Sequence, residues 1–355
     1  MNVYTVIMAG GIGARFWPRS REKKPKQLLK LFGEKTLIRY TYERMSKLTP
    51  DDKILVITNS LHRSAIIEEL PEVPKNNVIA EPFGKNTAAC IALACSIIKS
   101  KELDAIMVIV PSDHLISKEE VFLKNIKEAI EYVKHNNALA TIGISPTRPE
   151  TGYGYIQIDE KPLQDNVYKV LTFAEKPNYD TALRFLQSGD FLWNSGMFVW
   201  KVSTIEDQFK IHMPDLYDGM RVLQKAIDTP NFESVLTDVY GRLKSISIDY
   251  GVMEKSSIVC LIKGEFVWSD VGTWSEVYNL SSKDEEGNAI IGDVFAQNVK
   301  NSYIYSPKKF SAVIGVDNLI VVNTAEALLI CSKDKSQDVK NVIEYLKIKK
   351  LAQYL

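Results

Sequence analysis

The 355-residue sequence has few cysteines, few histidines and no net charge. Its four cysteines form no Cys-x-x-Cys pair, and Cys90 and Cys95 lie in an apolar stretch with helical spacing, so we expect reduced core thiols. The sequence has 44 basic residues (lysine plus arginine) and 44 acidic residues (aspartate plus glutamate). This balance excludes a positive electrostatic field over the whole protein that would attract nucleic acid. Because no apolar run is long enough to span a bilayer and no signal-peptide pattern is found, we expect no membrane contact and a cytosolic location.

Two familiar phosphate-binding glycine patterns are also absent from the glycine-rich segment at residues 9–15. No Lys-Ser/Thr pair follows its glycines, which excludes a Walker loop, and Phe16 stands where a dinucleotide fingerprint needs a third small residue. The apolar residues 3–8 before it are typical of a strand buried in a parallel sheet. Glycines at such a strand end let backbone N–H groups approach a polyanion, so the segment predicts a phosphate-binding loop. A strand-to-helix turn without a ligand is the alternative.

Apolar segments that alternate with helical patterns predict an α/β fold with a doubly wound, mixed but mainly parallel sheet. The chain is longer than a single core usually allows, so we expect two domains, residues 1–285 and 286–355. The second should contain short strands in a β-helix-like arrangement and a closing amphipathic helix. The strands are predicted at residues 3–8, 53–58, 77–82, 105–111, 139–144, 155–158, 167–173 and several times within 289–332, and the helices at 37–48, 61–70, 87–100, 119–136, 179–187, 204–240 and 339–346.

Two aspartates follow strand-like segments and are candidate metal ligands. Asp113 follows residues 105–111 within Pro-Ser-Asp-His, and Asp270 lies in Trp-Ser-Asp-Val-Gly. Two carboxylates together with phosphate oxygens and water suit Mg²⁺, which takes few protein ligands. The alternative is that each aspartate only caps a helix or a turn. His114 is adjacent to Asp113 and is a candidate for orienting it.

Nine motifs occur in order between residues 10 and 274, and together they resemble the mannose-1-phosphate guanylyltransferases of the sugar-nucleotidyltransferase superfamily. The part after them resembles the short form of the family, without the added isomerase domain of bifunctional members. The motifs are GGIGARFWP, PKQ, EPFGKNTA, PSDH, TGYGYI, FAEKP, WNSGMF, SIDYGVMEK and WSDVGTW.

The resemblance implies a Rossmann-like nucleotidyltransferase domain and a Mg²⁺-dependent reaction in which GTP and α-D-mannose 1-phosphate give GDP-mannose and pyrophosphate. It assigns catalysis to Lys26, Asp113 and Asp270, of which the two aspartates bind the metal. Arg15 completes the catalytic set, because its guanidinium fork suits the oxygens of the leaving pyrophosphate. The implied nucleotide-binding residues are Ala9, Gly10, Gly11, Gly13, Arg15, Glu81, Pro82, Asn86, Thr87 and Ser112. The implied sugar-phosphate-binding residues are Gly152, Tyr153, Gly154, Glu175, Lys176 and Asn194.

Two of these assignments have plain alternatives. Lys26 is the candidate for the cation between the attacking phosphate and the α-phosphate. The alternative is that Lys23, Lys24 and Lys26 form a lysine cluster on a solvated face, as such clusters usually do. Glu81 is the candidate for guanine recognition, because one carboxylate can accept the adjacent N1–H and N2–H₂ donors in two parallel hydrogen bonds. Its alternative is an ordinary exposed loop glutamate.

No Ser/His/Asp or Cys/His catalytic arrangement is evident in the sequence. A sugar phosphate that acts as the nucleophile needs none, because its second pKa is about 6 and it is largely a dianion near neutral pH without a general base. The alternatives are an enzyme for another pair, such as UTP with glucose 1-phosphate, or a silent regulatory subunit. The joint presence of Arg15, Lys26, Asp113 and Asp270 argues against a silent subunit. Asp249 has a motif match but no role that the residues suggest. A homodimer is expected, although no residue pattern fixes the oligomeric state.

Overall fold

The computed structural model describes residues 1–355. It divides into two compact units: the first comprises Met1–Gly10, Thr41–Ser112 and Ile116–Trp268, and the second Gly11–Tyr40, Asp113–Leu115 and Ser269–Leu355. The expected domain boundary between residues 285 and 286 stays a prediction. None of the helices has both the length and the apolarity that crossing a bilayer requires.

The secondary structure consists of strands β1 to β15, helices α1 to α10 and several single turns, among them a π-turn at Asp249–Met253. The strands are Asn2–Met8, Ile54–Asn59, Val78–Glu81, Ala105–Pro111, Leu115–Ile116, Leu139–Ile144, Tyr155–Gln164, Val167–Ala174, Phe191–Lys201, Val259–Gly264, Trp268–Ser269, Ala289–Lys300, Tyr303–Asp317, Leu319–Asn323 and Leu328–Ser332. The helices are Leu37–Met45, Arg63–Glu69, Asn86–Lys101, Glu119–His135, Tyr179–Ser188, Val202–His212, Pro214–Ala226, Phe232–Arg242, Trp274–Leu280 and Lys340–Ile348.

The first unit contains a nine-stranded sheet in the order β3-β2-β1-β4-β9-β6-β10-β8-β7. Strands β1, β2, β3 and β4 pair in parallel, as do β6 and β10, whereas β9 runs antiparallel between β4 and β6. Strands β2, β4 and β6 are almost entirely buried, which is why their sequences are continuous apolar runs. The prediction of a doubly wound mixed sheet is confirmed.

The helical pattern at residues 204–240 corresponds to three helices rather than one. Helix α6 ends at His212, and α7 begins with Pro214, which is favourable in a first turn and unfavourable in a helix interior. A second proline, Pro230, precedes α8. The two prolines therefore divide one amphipathic stretch into three elements.

In the second unit, β12, β13 and β14 pair in parallel, and β15 runs antiparallel to β14. The expectation of short strands is wrong for β12 and β13, which have 12 and 15 residues. A register shift between Gly292 and Val294 lets the two strands stay paired along their length. Gly292 has φ +109°, and any Cβ there would overlap the Ser306 backbone, so the bulge requires glycine.

The core of the second unit joins the residues that follow the glycine loop to the C-terminal elements. The ring of Phe16 meets that of Trp274 edge-on at 5.2 Å, and Trp274 stacks with Tyr303 at 5.6 Å. Residues 11–40 therefore share one core with α9, with β12 to β15 and with α10. Its buried members are Phe16, Trp17, Leu29, Leu31, Leu37, Val271, Trp274, Val277, Tyr278, Ala289, Tyr303, Ile320, Val322, Leu329, Val339 and Leu346.

Gly13 fixes the path of the glycine loop. Its φ is +73°, in the left-handed region, and a Cβ at this position would overlap the Cβ of Lys26. The Lys26 N–H donates to the Ile12 carbonyl at 3.1 Å, and Ser20 Oγ donates to the Gly13 carbonyl at 2.7 Å. The loop and the Lys26 backbone are thus held in contact by a site that only glycine fits.

Gly13→Ala should lower the free energy of unfolding by about 2–3 kcal/mol, because alanine is disfavoured at positive φ and its methyl group overlaps Lys26. Gly11→Ala is the matched control, since a Cβ at Gly11 meets no atom within 4 Å. The measurement is the urea unfolding midpoint of each variant. Equal midpoints for the two variants would contradict the described loop conformation.

Candidate active site

Lys26 is buried in the second unit, where it contacts both candidate metal-binding residues. Its Nζ donates to Asp113 Oδ2 at 2.8 Å and to the Asp270 carbonyl oxygen at 2.5 Å. The residue is only 6% exposed, whereas Lys23 and Lys24 are exposed. The alternative in which all three lysines form a solvated face is therefore wrong for Lys26.

Local structure explains why this lysine is buried. Pro25 precedes a 3₁₀ turn, Lys26–Leu28, that follows extended backbone and turns the chain into the core. The Nζ also lies 5.5 Å from the centre of the Phe16 ring, within cation–π range. A buried ammonium is destabilising unless it is paired, and here a carboxylate, a carbonyl and an aromatic face surround it.

Asp113 is ionised in this environment. Burial raises the pKa of its carboxyl, but the charges of Lys26 and His114 and the hydrogen bond from Lys26 outweigh burial and lower the pKa below its usual value. His114 Nε2 lies 4.0 Å from Asp113 Oδ1. His114 therefore lies beside the Asp113 carboxyl, and its role in orienting that group stays a prediction.

The backbone after Asp270 is strained. Val271 has φ +48°, which is rare for a β-branched residue and costs on the order of 1–3 kcal/mol. Its side chain is fully buried in the core, and its N–H donates to Ser269 Oγ at 3.0 Å. At Gly272, a Cβ would lie 3.1 Å from Asp270 Oδ2. The strained turn thus directs the Asp270 carbonyl at Lys26 and requires a small neighbour beside the Asp270 carboxylate.

Arg15 lies in the turn Ala14–Phe16 of the second unit, is exposed and forms no ion pair with the protein. Gly11, in the same loop, is also exposed. A free guanidinium beside exposed backbone is available to an external anion.

Glu81 ends β3 in the first unit and is 6% exposed, so its interpretation as an exposed loop residue is wrong. Tyr240 in α8 donates to Glu81 Oε1 at 3.1 Å, and a Cβ at Gly10 would lie 3.4 Å from Glu81 Oε2. Burial raises the pKa of Glu81 to about 7, with the hydrogen bond from Tyr240 acting in the opposite direction. The carboxyl of Glu81 therefore titrates near neutral pH.

The other nucleotide-binding candidates of the first unit lie at strand ends or at the start of α3. The Ala9 carbonyl accepts from Thr58 Oγ1 at 3.0 Å, and the Ser112 N–H donates to the Met8 carbonyl at 3.0 Å. Thr87 Oγ1 accepts from the Ile248 N–H at 2.8 Å. Pro82 is half-buried, and Asn86 is exposed with φ +67°.

The sugar-binding candidates come together around β7 and β9 of the first unit. The Asn194 N–H donates to the Gly154 carbonyl at 2.8 Å, and the absence of a Cβ at Gly154 leaves room for the Glu175 carboxylate. Lys176 donates to Glu175 Oε1, whereas Glu175 Oε2 is buried without a hydrogen-bond partner. A buried carboxylate oxygen without a partner is rare in proteins, and the packing against Gly154 closes this oxygen to solvent.

An aromatic group lies next to these residues. Tyr153 is buried, and its ring meets Trp193 and Trp268 edge-on at 5.2 and 5.1 Å. Gly152 is exposed, and its N–H donates to Glu150 Oε1 at 3.0 Å. The two tryptophans are buried core residues, and they fix Tyr153.

The sequence did not point to Tyr240, and it did not indicate a role for Asp249. Tyr240 holds Glu81, but a tyrosine near the end of an amphipathic helix carries no pattern that identifies such a contact. Asp249 accepts a hydrogen bond from Asn194 Nδ2 at 2.8 Å. Its motif, SIDYGVMEK, marked the position without indicating its partner.

Two family models match the chain. The model for nucleotidyl transferases matches residues 4–287, and the model for the MannoseP isomerase/GMP-like beta-helix domain matches residues 292–346. The second match agrees with the parallel pairing of β12, β13 and β14.

Individual relatives agree with these models. A mannose-1-phosphate guanylyltransferase of Salmonella muenchen is 42% identical over 348 residues, which cover 96% of this chain and 73% of that relative. One of Escherichia coli (strain K12) is 38% identical over 354 residues, which cover 98% and 74%. A crystal structure described as mannose-1-phosphate geranyltransferase from Thermus thermophilus matches with a TM-score of 0.89 and 31% identity, over 98% of this chain and 100% of that one. The chain therefore belongs to the mannose-1-phosphate guanylyltransferase family and is a nucleotidyltransferase.

Proposed function

We propose that the protein transfers GMP from GTP to α-D-mannose 1-phosphate, giving GDP-mannose and pyrophosphate, by in-line attack on the α-phosphate. The observation that carries this proposal is the buried Lys26 ammonium, held by the Asp113 carboxylate and the Asp270 carbonyl. A fixed cation next to two acidic residues is suited to phosphoryl chemistry, in which catalysis consists mainly of positioning and charge neutralisation.

The sugar phosphate is the nucleophile. Its second pKa is about 6, so near neutral pH it is largely a dianion and needs no general base. Lys26 neutralises charge between the attacking phosphate and the α-phosphate of GTP. Arg15, exposed and free of protein partners, binds the leaving pyrophosphate together with the backbone N–H groups of the glycine loop.

Asp113 and Asp270 would hold Mg²⁺. No group of three or more histidine, cysteine, aspartate or glutamate side chains suited to a metal occurs in the structure. Mg²⁺ is commonly bound by one or two carboxylates plus substrate phosphates and water, so a pair of aspartates fits this ion. When bound, the ion neutralises negative charge on the phosphate oxygens.

The remaining assignments concern specificity. Glu81 accepts hydrogen bonds from guanine N1–H and N2–H₂ in its ionised form, with Tyr240 fixing the carboxylate. Glu175 and Asn194 bind hexose hydroxyls, Lys176 binds the sugar phosphate, and Gly152, Tyr153 and Gly154 line the sugar. The packing of the Glu175 carboxylate against Gly154 and beside Asn194 supports this, because it brings three of the sugar-binding candidates together.

The direct test is pyrophosphate release measured over a grid of nucleoside triphosphates and hexose 1-phosphates. We expect GTP with α-D-mannose 1-phosphate to have the largest specificity constant. Preference for another pair, such as UTP with glucose 1-phosphate, would reject the substrate assignment, and no turnover with any pair would reject enzymatic activity.

Lys26→Met should lower kcat by at least about 100-fold while changing GTP affinity much less, because the cation acts on the charge that develops in the transition state. Lys24→Met is the matched control, since Lys24 is exposed and only two residues away; its kcat should stay near the wild-type value. Turnover and calorimetric GTP titration measure the two quantities. A Lys26→Met enzyme with wild-type turnover would contradict the catalytic role.

Asp113→Asn and Asp270→Asn should each lower turnover by at least about 100-fold and raise the Mg²⁺ concentration for half-maximal rate. The pair separates two roles, because Lys26 contacts the side chain of Asp113 but only the backbone of Asp270. Mg²⁺ titrations of the rate are the measurement. A defect confined to Asp113→Asn would mean that Asp113 only holds Lys26 and that the metal assignment is wrong.

The preference for GTP over ATP should depend on pH through Glu81, whose pKa is raised to about 7 in the free protein. Below that pH the carboxyl is protonated and loses an acceptor, so the ratio of the GTP and ATP specificity constants should fall between pH 8 and pH 6. Using the ratio cancels titration of the triphosphate itself. The ratio should be smaller and independent of pH in Glu81→Gln.

At fixed pH we expect the specificity constants of the wild-type protein to decrease in the order GTP, ITP, ATP. The differences between these three constants should be smaller in Glu81→Gln. Ratios that are the same in both proteins would show that guanine is recognised elsewhere.

A further inference from the structure

Asp249 lies beside the sugar-binding candidates of the first unit, and none of the roles proposed above uses it. It begins the π-turn Asp249–Met253, and its Oδ1 accepts the hydrogen bond from Asn194 Nδ2. Single π-turns are rare and occur frequently at functional sites. The contact connects an unassigned carboxylate to a residue proposed to bind the sugar.

Both ends of the Asn194 amide are fixed. Its Oδ1 accepts from the Gly196 N–H at 3.1 Å, while Nδ2 faces the Asp249 carboxylate at 2.8 Å. A flipped amide would place oxygen against carboxylate and nitrogen against an N–H donor, so only one orientation is favourable. Asp249 uses one of the two Nδ2 hydrogens, which leaves one for a ligand.

The backbone that carries Asp249 is fixed as well. The Ile248 N–H donates to Thr87 Oγ1 at 2.8 Å, and the Ile246 carbonyl accepts from the Ala88 N–H at 3.3 Å. The Glu254 N–H donates to the Asp249 carbonyl at 3.0 Å. The first two bonds join the segment before the π-turn to the start of α3, and the third closes the turn itself, so Asp249 is a rigid support rather than a mobile surface residue.

Burial and the neighbouring charges bring the pKa of Asp249 close to neutral pH. Burial and then the charge of Glu175 raise the pKa of Asp249 to about 6, while the hydrogen bond from Asn194 and the charge of Lys176 act in the opposite direction. Tyr250 follows Asp249 on the same turn and influences Lys176, and Glu254, directly after the turn, is influenced by the charge of Glu175. Above pH 7 Asp249 is mainly ionised, and a charged acceptor makes its bond with Asn194 stronger than one between neutral groups.

We infer that Asp249 is a positioning residue for sugar recognition: it orients the Asn194 amide so that the remaining Nδ2 hydrogen faces a hydroxyl of the hexose. The inference rests on the proposed function in taking a hexose phosphate as the ligand of Asn194. Asp249 acts through Asn194, and its removal should weaken sugar binding while leaving the chemistry at the α-phosphate intact.

The test is calorimetric titration of GDP-mannose and of GDP, because the ratio of the two affinities isolates the contribution of the mannosyl group. Asp249→Leu has a similar volume and no acceptor. It should weaken GDP-mannose binding roughly 10- to 100-fold, the scale of losing a hydrogen bond to a charged group, with GDP binding unchanged. Asp249→Asn keeps an acceptor oxygen and should recover most of the affinity. In turnover, KM for mannose 1-phosphate should rise while kcat changes little.

A double-mutant cycle distinguishes positioning from general structural damage. If Asp249 acts through Asn194, Asp249→Leu should cause no further loss of GDP-mannose affinity in the Asn194→Ala background. Asp238→Leu is the control: Asp238 is exposed on α8, is paired with Arg242 and has no contact with Asn194, so both affinities should stay at wild-type values.

The possible failures are distinct. Additive losses in the cycle, or an unchanged GDP-mannose affinity in Asp249→Leu, would overturn the positioning role while leaving the proposed function in place. Wild-type protein that binds GDP-mannose no more tightly than GDP would reject the proposed sugar site and the inference with it. Circular dichroism and thermal midpoints establish that each variant is folded.

Discussion

The burial of the Lys26 ammonium is the constraint on which the rest of the second unit depends. Removing a charge from water costs several kcal/mol, which must be offset by partners in fixed positions. Asp113 supplies a carboxylate, and the strained turn at Val271 supplies the Asp270 carbonyl. The glycine at position 13 gives the lysine backbone the room to reach them. The strained turn at Val271 and the left-handed conformation of Gly13 thus both serve to position the Lys26 ammonium.

The first unit shows the opposite condition, in which polar groups are left incompletely satisfied. Glu175 Oε2 has no partner, and Glu81 is so poorly solvated that its pKa is raised to about 7. A buried polar group that lacks a partner destabilises the free protein, and a ligand that supplies the missing donor removes that cost on binding. Lys26 has its partners within the protein, whereas Glu175 Oε2 has none and Glu81 has one hydrogen bond, from Tyr240. The two units thus differ in how far their buried charged groups are paired within the protein.

The sequence alone was sufficient to predict elements that depend on a local pattern of apolar residues. Strands β4 and β6 were predicted with their observed limits, because a strand buried on both faces is a continuous apolar run. Contacts between distant residues were not predictable. Whether Lys26 is solvated or buried depends on Asp113, 87 residues away, and the environment of Glu81 depends on Tyr240, 159 residues away. The lengths of β12 and β13 follow from their mutual pairing and not from their own composition.

The shared core of the second unit has a consequence for biosynthesis. Trp17 Nε1 donates to the Tyr354 carbonyl at 2.9 Å, a contact between residues 337 positions apart, and Trp274 Nε1 donates to the Trp17 carbonyl at 3.1 Å. Contacts of such sequence separation form late, since both partners must first exist and then meet. A nascent chain that has already completed the parallel strands of the first unit still lacks most of the packing around its glycine loop. The ribosome must therefore finish nearly the whole chain before the lysine near its beginning acquires its final surroundings.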